Sequence, residues 1–338
     1  MQSVTIIGVG THLPGKPIDN KKIQEKFNVN AEWIDLVIGN ETRHLVMDLD
    51  TGEVNSTLAD ICALASAQAL DKAQIDPEEI DFVVMGTATP DHLMPATVNF
   101  VCEKLGINNV PTYQLQSGCA GAMQALDIGT VLLRSGQYTT GLIIGGDVCA
   151  KYIDLSQDFS GLSSSELINY ALFGDGAGAA VLTNEDSEGM EILHTLNRCE
   201  GLNREPGQEL NWLGSAAIKY DDVQPLREEY KAIETEVPRM ARETTTELLA
   251  KAGWDENNVD YFMTPQLAGL MTDKIIDYMA LPHEKSVNCV AVSGNNGNAL
   301  PFLQLKMLSE KLQKGQTAIG VAIESSKWIK GGIVLQGV

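Results

Sequence analysis

The sequence predicts a layered α/β fold built from two copies of one unit. Three observations carry this. Short apolar runs (VTIIGVG, FVVMGT, GLIIGG and AAVL) alternate with helical stretches of about ten residues or more, the pattern of strands connected by helices. These runs are nearly continuous in apolar residues rather than alternating, so the sheet they form is expected to be covered on both faces. The second half of the chain also repeats the first.

The repeat is read in three segments. ALDKAQIDPEEIDFVVM (69–85) matches LLAKAGWDENNVDYFMT (248–264), each a helix end, an acidic loop and a buried strand, with Asp81 and Asp260 lying 179 residues apart. SGQYTTGLIIGGD (135–147) matches KGQTAIGVAIES (314–325) at the same offset, through Gly136/Gly315 and Gly141/Gly320. GAGAAVL (176–182) matches IKGGIVL (329–335) at an offset of 153, so the loops between differ in length. The halves are expected to divide at residues 1–184 and 185–338. Two polar, irregular regions, 153–170 and 200–235, are expected to be insertions at the mouth of a site.

Composition narrows the function classes. A net charge of −21 argues against a nucleic-acid partner, which needs clustered Lys and Arg, and against an anionic membrane surface. No apolar run approaches the roughly 20 residues that span a bilayer. The start, MQSVTIIGVGTHLPG, lacks the basic and apolar regions of a signal peptide, so the expected location is cytoplasmic. The six cysteines show no metal-ligand spacing, and Cys62, Cys102, Cys149, Cys199 and Cys289 read as small buried hydrophobes. No metal or other cofactor is expected.

Cys119 reads differently. In LQSGCAGAMQAL (115–126) it stands between glycines where an apolar run gives way to a helix. A thiol at a helix start meets unpaired backbone N–H groups and the positive end of the helix dipole, both of which favour the nucleophilic thiolate. Its own N–H can donate to an oxyanion. The repeat offers a partner: QSGCAGA (116–122) matches VSGNNGN (292–298), setting Cys119 opposite Asn295. Packed about a pseudo-two-fold axis, the two turns bring a thiol and a carboxamide to one cavity.

Over essentially its whole length the chain resembles the ketoacyl-ACP synthase III family of the thiolase superfamily. The matching segments are IIGVGTHLP (6–14), EWI with GNETRH (32–34 and 39–44), TATPDHLMPATVNFVCEKLGI (87–107), SGCAGAMQAL (117–126), FGDGAGAAVL (173–182) and the closing GGIVL. The resemblance implies a thiolase-like fold of duplicated α-β-α-β-α halves, a homodimer, and an acyl group taken onto Cys119 and passed to an acceptor. It also implies departures. The family's catalytic His falls on Gln266 in Pro265-Gln266-Leu267-Ala268-Gly269, and its catalytic Asn on Asn295, with Asn296 and Asn298 close by. The implied triad is Cys119, Gln266 and Asn295, with Gly331 supplying a second oxyanion N–H. Gln266 has no basic nitrogen, so it can donate a hydrogen bond but cannot accept a proton. His92 is the remaining histidine in a pocket segment.

The resemblance places Trp33 at the mouth for the donor, while family arginines fall on Val37, Leu167 and Met271, with Lys274 one turn beyond the last. Without those guanidiniums a phosphate clamp is weak. Met94 falls where a family aromatic closes the partner subunit's acyl pocket. The expected function is acyl transfer from a carrier-protein or CoA thioester through Cys119 to a small-molecule or carrier-bound acceptor, in specialised polyketide or fatty-acid-derived metabolism. Two alternatives are a decarboxylative condensation with Gln266 and Asn295 as enolate donors, and a non-catalytic partner subunit of a heteromeric synthase.

Overall fold

A computed structural model describes residues 2–162, 164–210 and 226–338. In chain order the strands are β1 (Thr5–His12), β2 (Ile18–Asp19), β3 (Thr42–Arg43), β4 (Phe82–Gly86), β5 (Thr112–Leu115), β6 (Thr140–Asp147), β7 (Gly176–Thr183), β8 (Met190–Cys199), β9 (Gln208–Leu210), β10 (Leu226–Glu228), β11 (Tyr261–Met263), β12 (Thr317–Glu324) and β13 (Ile329–Gly337). Nine of them form one sheet in the order β11-β12-β13-β8-β1-β7-β6-β4-β5. β2 pairs with β3, and β9 with β10.

The sheet carries the duplication. β1, β7, β6 and β4 run outward on one side of its centre, and β8, β13, β12 and β11 on the other, with β1 and β8 joined antiparallel through Thr5↔Glu191 and Ile6↔Met190. β4 is parallel to β6, and β11 is parallel to β12. Asp81 and Asp260 do the same work in each half. Asp81 Oδ2 accepts the Thr139 and Thr140 N–H groups at the start of β6 (2.7 and 3.0 Å), and Asp260 Oδ2 accepts the Thr317 N–H at the start of β12 (2.8 Å). In chain order, β7 ends at Thr183 and β8 begins at Met190.

Successive residues of a strand face opposite sides of the sheet, and here each side has its own core. Val83 and Met85 join one apolar cluster while Phe82 and Val84 join another; Leu142 and Ile144 separate from Ile143 in the same way. The first cluster includes the helices Leu58–Ala73 and Tyr230–Ala252; the second includes Gly121–Arg134 and Leu300–Ser309. β4, β6 and β7 are buried at every position, as their continuous apolar runs require. No described helix is long and apolar enough to cross a membrane, and no described group of His, Cys, Asp and Glu could hold a metal ion.

Two readings of the cysteines change. Cys199 is exposed on β8, and Cys149 is only half-buried, since a cavity opens beside it. All six thiols are free.

Candidate active site

Cys119 lies in a single 3-10 turn, Gly118–Ala120, leading directly into the Gly121–Arg134 helix. Gly118 holds φ +48°, in the left-handed region that favours glycine, and a Cβ there would overlap the carboxylate of Glu324. The second half repeats the turn at the offset of the strands: Gly297 holds φ +53° and opens the turn Gly297–Ala299 before the Leu300–Ser309 helix. The positional mate of Cys119 is therefore Asn298, three residues beyond the Asn295 that local sequence matching selects. A run of three asparagines around two glycines hides that shift.

Asn298 fastens the two turns together. Its Oδ1 accepts the Ala122 N–H (2.8 Å), and its N–H and Nδ2 both donate to Asp147 Oδ2 (2.9 and 2.8 Å). Asp147 Oδ1 is held by the Thr87 and Thr89 hydroxyls and by the Ala88 and Thr89 N–H groups. Asn296 is fully buried with neither amide atom bonded, and a Cβ on Gly176 would press on it.

Glu324, at the end of β12, is the feature that sequence reading missed. Its side chain is buried, with Oε2 accepting the Cys119 N–H and Oε1 accepting the Ser326 N–H (2.6 Å). The Cys119 thiol shares the walls of both cavities with this carboxyl. Two backbone N–H groups, one of them the nucleophile's own, thus hold the two oxygens of one carboxyl. Burial raises the Glu324 pKa, and the two N–H bonds oppose the rise. Burial, then the charges of Glu324 and Asp147, push the Cys119 thiol well above its ordinary value, overriding the helix-start effect the sequence suggests. The signal was present: at the offset of 179, IES (323–325) at the end of the repeated strand puts Glu324 where the first copy has Gly145.

Gly331 does not supply the second N–H. It sits within β13, opposite Ala322 of β12 and Asn197 of β8, so its backbone is committed to a ladder paired on both sides. The N–H that faces the thiol's surroundings belongs to Ser326, in the β12–β13 turn.

Cys119, Gln266 and Asn295 do meet, on the wall of one small cavity of about 70 Å³. Gln266 is spent on structure there. Its Oε1 accepts the N–H groups of Cys289 and Val290 (2.9 and 3.2 Å), and its Nε2 donates to Thr264 O and Asn288 Oδ1 (3.2 and 3.0 Å). Both amide hydrogens are used, so the expected donation to an oxyanion has no hydrogen left to make it. Asn295 Oδ1 accepts the Gly297 N–H (3.2 Å), and Nδ2 donates to Leu267 O (3.1 Å), leaving its second hydrogen for the cavity.

Cys119 also opens on a larger cavity of about 530 Å³, within the size range of small-molecule sites. Leu45, Ile153, Leu162 and Phe173 give it apolar walls, and Tyr152 and Tyr170 line it as well. Three of these come from region 153–170, while Gln208 and Glu228 from region 200–235 line the small cavity; residues 211–225 of that region lie outside the described residues. Glu228 Oε1 accepts from Gln208 Nε2 (2.6 Å) and its buried Oε2 has no partner; burial, with the charge of Glu324 adding, lifts its pKa to about 7.

The other expected residues stand apart. None of the five histidines lines either cavity; His92 packs edge-on to Phe100 with ring centres 5.8 Å apart. Trp33 packs partly buried against the core, and Met94 is 87% exposed. Leu36 and Val37 are exposed, Met271 is buried, and Lys274 pairs with Glu234 (2.9 Å).

Known proteins place this arrangement. Residues 113–201 match the family model for 3-oxoacyl-[acyl-carrier-protein (ACP)] synthase III, and residues 249–326 match the model for its C-terminal part. A beta-ketoacyl-[acyl-carrier-protein] synthase III of Neisseria meningitidis serogroup B is 29% identical over 328 residues, covering 94% of this chain and 95% of its own. One from Clostridium perfringens is 27% identical over 333 residues, covering 95% of each. Among solved structures, AbyA1, a tetronic acid condensing enzyme, is 46% identical with a TM-score of 0.95, covering 99% of this chain and 100% of that one. A 3-oxoacyl-[acyl-carrier-protein] synthase III from Aquifex aeolicus is 25% identical with a TM-score of 0.83, covering 98% and 99%.

Proposed function

Because this chain belongs to the 3-oxoacyl-[acyl-carrier-protein] synthase III family, whose condensing acyltransferases work through a cysteinyl thioester, we propose that Cys119 is the acylated residue and that the acceptor brings a carbon already acidic enough to attack. The observation that carries this is the state of Gln266. Decarboxylating a malonyl thioester needs donors for the enolate oxygen, and Gln266 has both amide hydrogens bonded elsewhere. A carbon flanked by two carbonyls ionises without losing carbon dioxide, so it needs no such pair.

In the first step a thioester carbonyl docks beside Cys119, and the acyl chain enters the 530 Å³ cavity. The Cys119 and Ser326 N–H groups receive the carbonyl oxygen as it becomes an anion. In the second step the acidic carbon attacks the Cys119 thioester, forms a carbon–carbon bond and expels the thiolate. The 46% identity to a tetronic acid condensing enzyme favours substrates that also carry a hydroxyl, because a tetronic acid ring contains a lactone C–O bond. The donor is an acyl thioester of a carrier protein or of CoA. Exposed Val37 in place of a guanidinium favours the carrier-borne form. We assign the protein to a homodimer in the cytoplasm, acting in specialised metabolism.

The test is intact-protein mass spectrometry of the wild type and Cys119→Ala after mixing with a panel of acyl-CoA and acyl-carrier thioesters. An adduct on the wild type alone, discharged by a β-ketoacyl thioester without release of carbon dioxide, is the expected result. Discharge by malonyl thioester with carbon dioxide released would replace this reading with decarboxylative condensation. No adduct from any donor would favour a non-catalytic partner subunit.

A further inference from the structure

We propose that Glu324 takes the proton of the Cys119 thiol during acylation and, as it does so, releases the backbone N–H pair that binds the thioester oxygen. The inference rests on Cys119 being the acylated residue. Its basis is the position of one carboxyl group, bonded to the Cys119 and Ser326 N–H groups and sharing the walls of both cavities with Cys119.

A carboxylate there is costly to keep charged. Glu324 is 1% exposed, and among the described residues no lysine, arginine or histidine forms an ion pair with it. The nearest lysine in its turn, Lys327, sends its ammonium to Arg204 O (2.6 Å). The titratable groups that share a cavity wall with Glu324 and Cys119 are Glu228 and Tyr230 in the small cavity, and Asp147, Cys149, Tyr152, Glu166, Tyr170 and one cation, Lys327, in the larger. The charge of Glu228 favours a proton on Glu324, whereas Asp147 and Cys149 favour keeping the proton on the Cys119 sulfur. No imidazole is present to receive it, since no histidine lines either cavity.

The step balances. The thiol proton passes from Sγ to a Glu324 oxygen, and the Cys119 thiolate attacks the donor carbonyl to form a new C–S bond. Neutral Glu324 accepts hydrogen bonds less strongly than the carboxylate, so the developing oxyanion displaces it from the Cys119 and Ser326 N–H groups. Collapse of the tetrahedral adduct breaks the donor C–S bond, and Glu324 returns its proton to the departing thiolate. The products are the acyl-cysteine and the free donor thiol.

The test is the rate of iodoacetamide alkylation of Cys119 against pH, in a Cys199→Ser background that removes the exposed thiol. Alkylation reads the thiolate without any acyl donor, so its outcome is separate from whether a thioester substrate is found. When thiol and carboxylate share one proton, the thiolate fraction does not depend on pH. The expected wild-type rate is therefore flat between about pH 6 and 9, while Glu324→Gln rises about tenfold per pH unit over the same span. A wild-type rate that itself rises about tenfold per unit would overturn the proposal, with no need for the variant to fold. A flat profile in both proteins would also overturn it, since the flatness would then arise elsewhere.

Discussion

Asn298 Nδ2 donates to Asp147 Oδ2 at 2.8 Å, so a side chain at the start of the second central helix closes on a carboxylate at the end of a first-half strand. Through Oδ1 the same amide holds the Ala122 N–H in the first turn of the nucleophile's helix. The two halves are thus joined by hydrogen bonds as well as by apolar packing, and the joint lies directly behind Cys119.

Replacing Asn298 with alanine leaves a buried carboxylate and a buried helix N–H each short of a partner. The expected loss is about 2–4 kcal/mol of unfolding free energy, measured by urea titration. Asn298→Asp should lose more, because it sets a second carboxylate against Asp147. A loss within about 0.5 kcal/mol for both would show that water takes over the two bonds.

Gln266→Ala separates structure from chemistry. It removes the acceptor for the Cys289 and Val290 N–H groups and two donated bonds, so unfolding free energy should fall by about 1–3 kcal/mol. Acylation of Cys119, followed by intact mass, should stay within about threefold of the wild type under conditions where the variant is folded. Asn295→Ala should also touch the chemistry: one amide hydrogen is left for the cavity it lines, so its removal should slow discharge of the acyl-enzyme by about 10²–10³, while loss of its bonds to Gly297 and Leu267 lowers unfolding free energy by about 1–2 kcal/mol. A Gln266→Ala variant that folds and loses acylation at that scale would return Gln266 to the catalytic set.

Repetition made the fold legible. Asp81 and Asp260, read from sequence alone, cap the same strand start in each half, and the continuous apolar runs become strands buried on both faces. The site was legible as far as local pattern reaches. Cys119 between glycines announced a turn into a helix, and that turn exists. Its pairing with Asn295 slipped by three because SGNNGN offers two registers with similar residues. Gly331 came from the family resemblance of the closing GGIVL, whereas the proposed second N–H belongs to Ser326 in the β12–β13 turn, where any residue could supply it. Glu324 stood in the sequence as an acid in place of a repeated glycine, but its meaning depends on a contact across 205 residues of chain.

Buried carboxyls make stability depend on pH. Burial lifts Asp175 to about 6 and, with like charge from Glu324 adding, Glu228 to about 7. Each binds its proton more tightly in the folded chain than in the unfolded one, where ordinary values near 4 apply. Their stabilisation is complete below about pH 4 and is lost as pH rises through about 6 and 7. Unfolding free energy should therefore rise by roughly 3–5 kcal/mol from pH 8 to pH 5, with Asp175→Asn removing part of the slope. At still lower pH, Asp60, held near 2 by Lys104 and the Thr57 cap, works in the opposite sense. A thermal midpoint that falls steadily from pH 8 to pH 5 would contradict the assignment of these two groups.

Met94 and Leu93 are 87% and 66% exposed, side by side on one loop. Two large apolar side chains held in water are costly for an isolated chain, at roughly 25 cal/mol for each Å² that could be buried. A second copy of the chain is the occupant that the homodimer assignment provides. Analytical ultracentrifugation of the wild type should give twice the chain mass. Met94→Asp should weaken association by at least about tenfold, because a carboxylate would lose its water in the interface without a partner. If the dimer forms through this loop and closes the acyl cavity, the same variant should also accept a different range of acyl chain lengths on Cys119. A wild type that sediments as a single chain, or a Met94→Asp variant that dimerises as tightly as the wild type, would place these side chains outside any such interface.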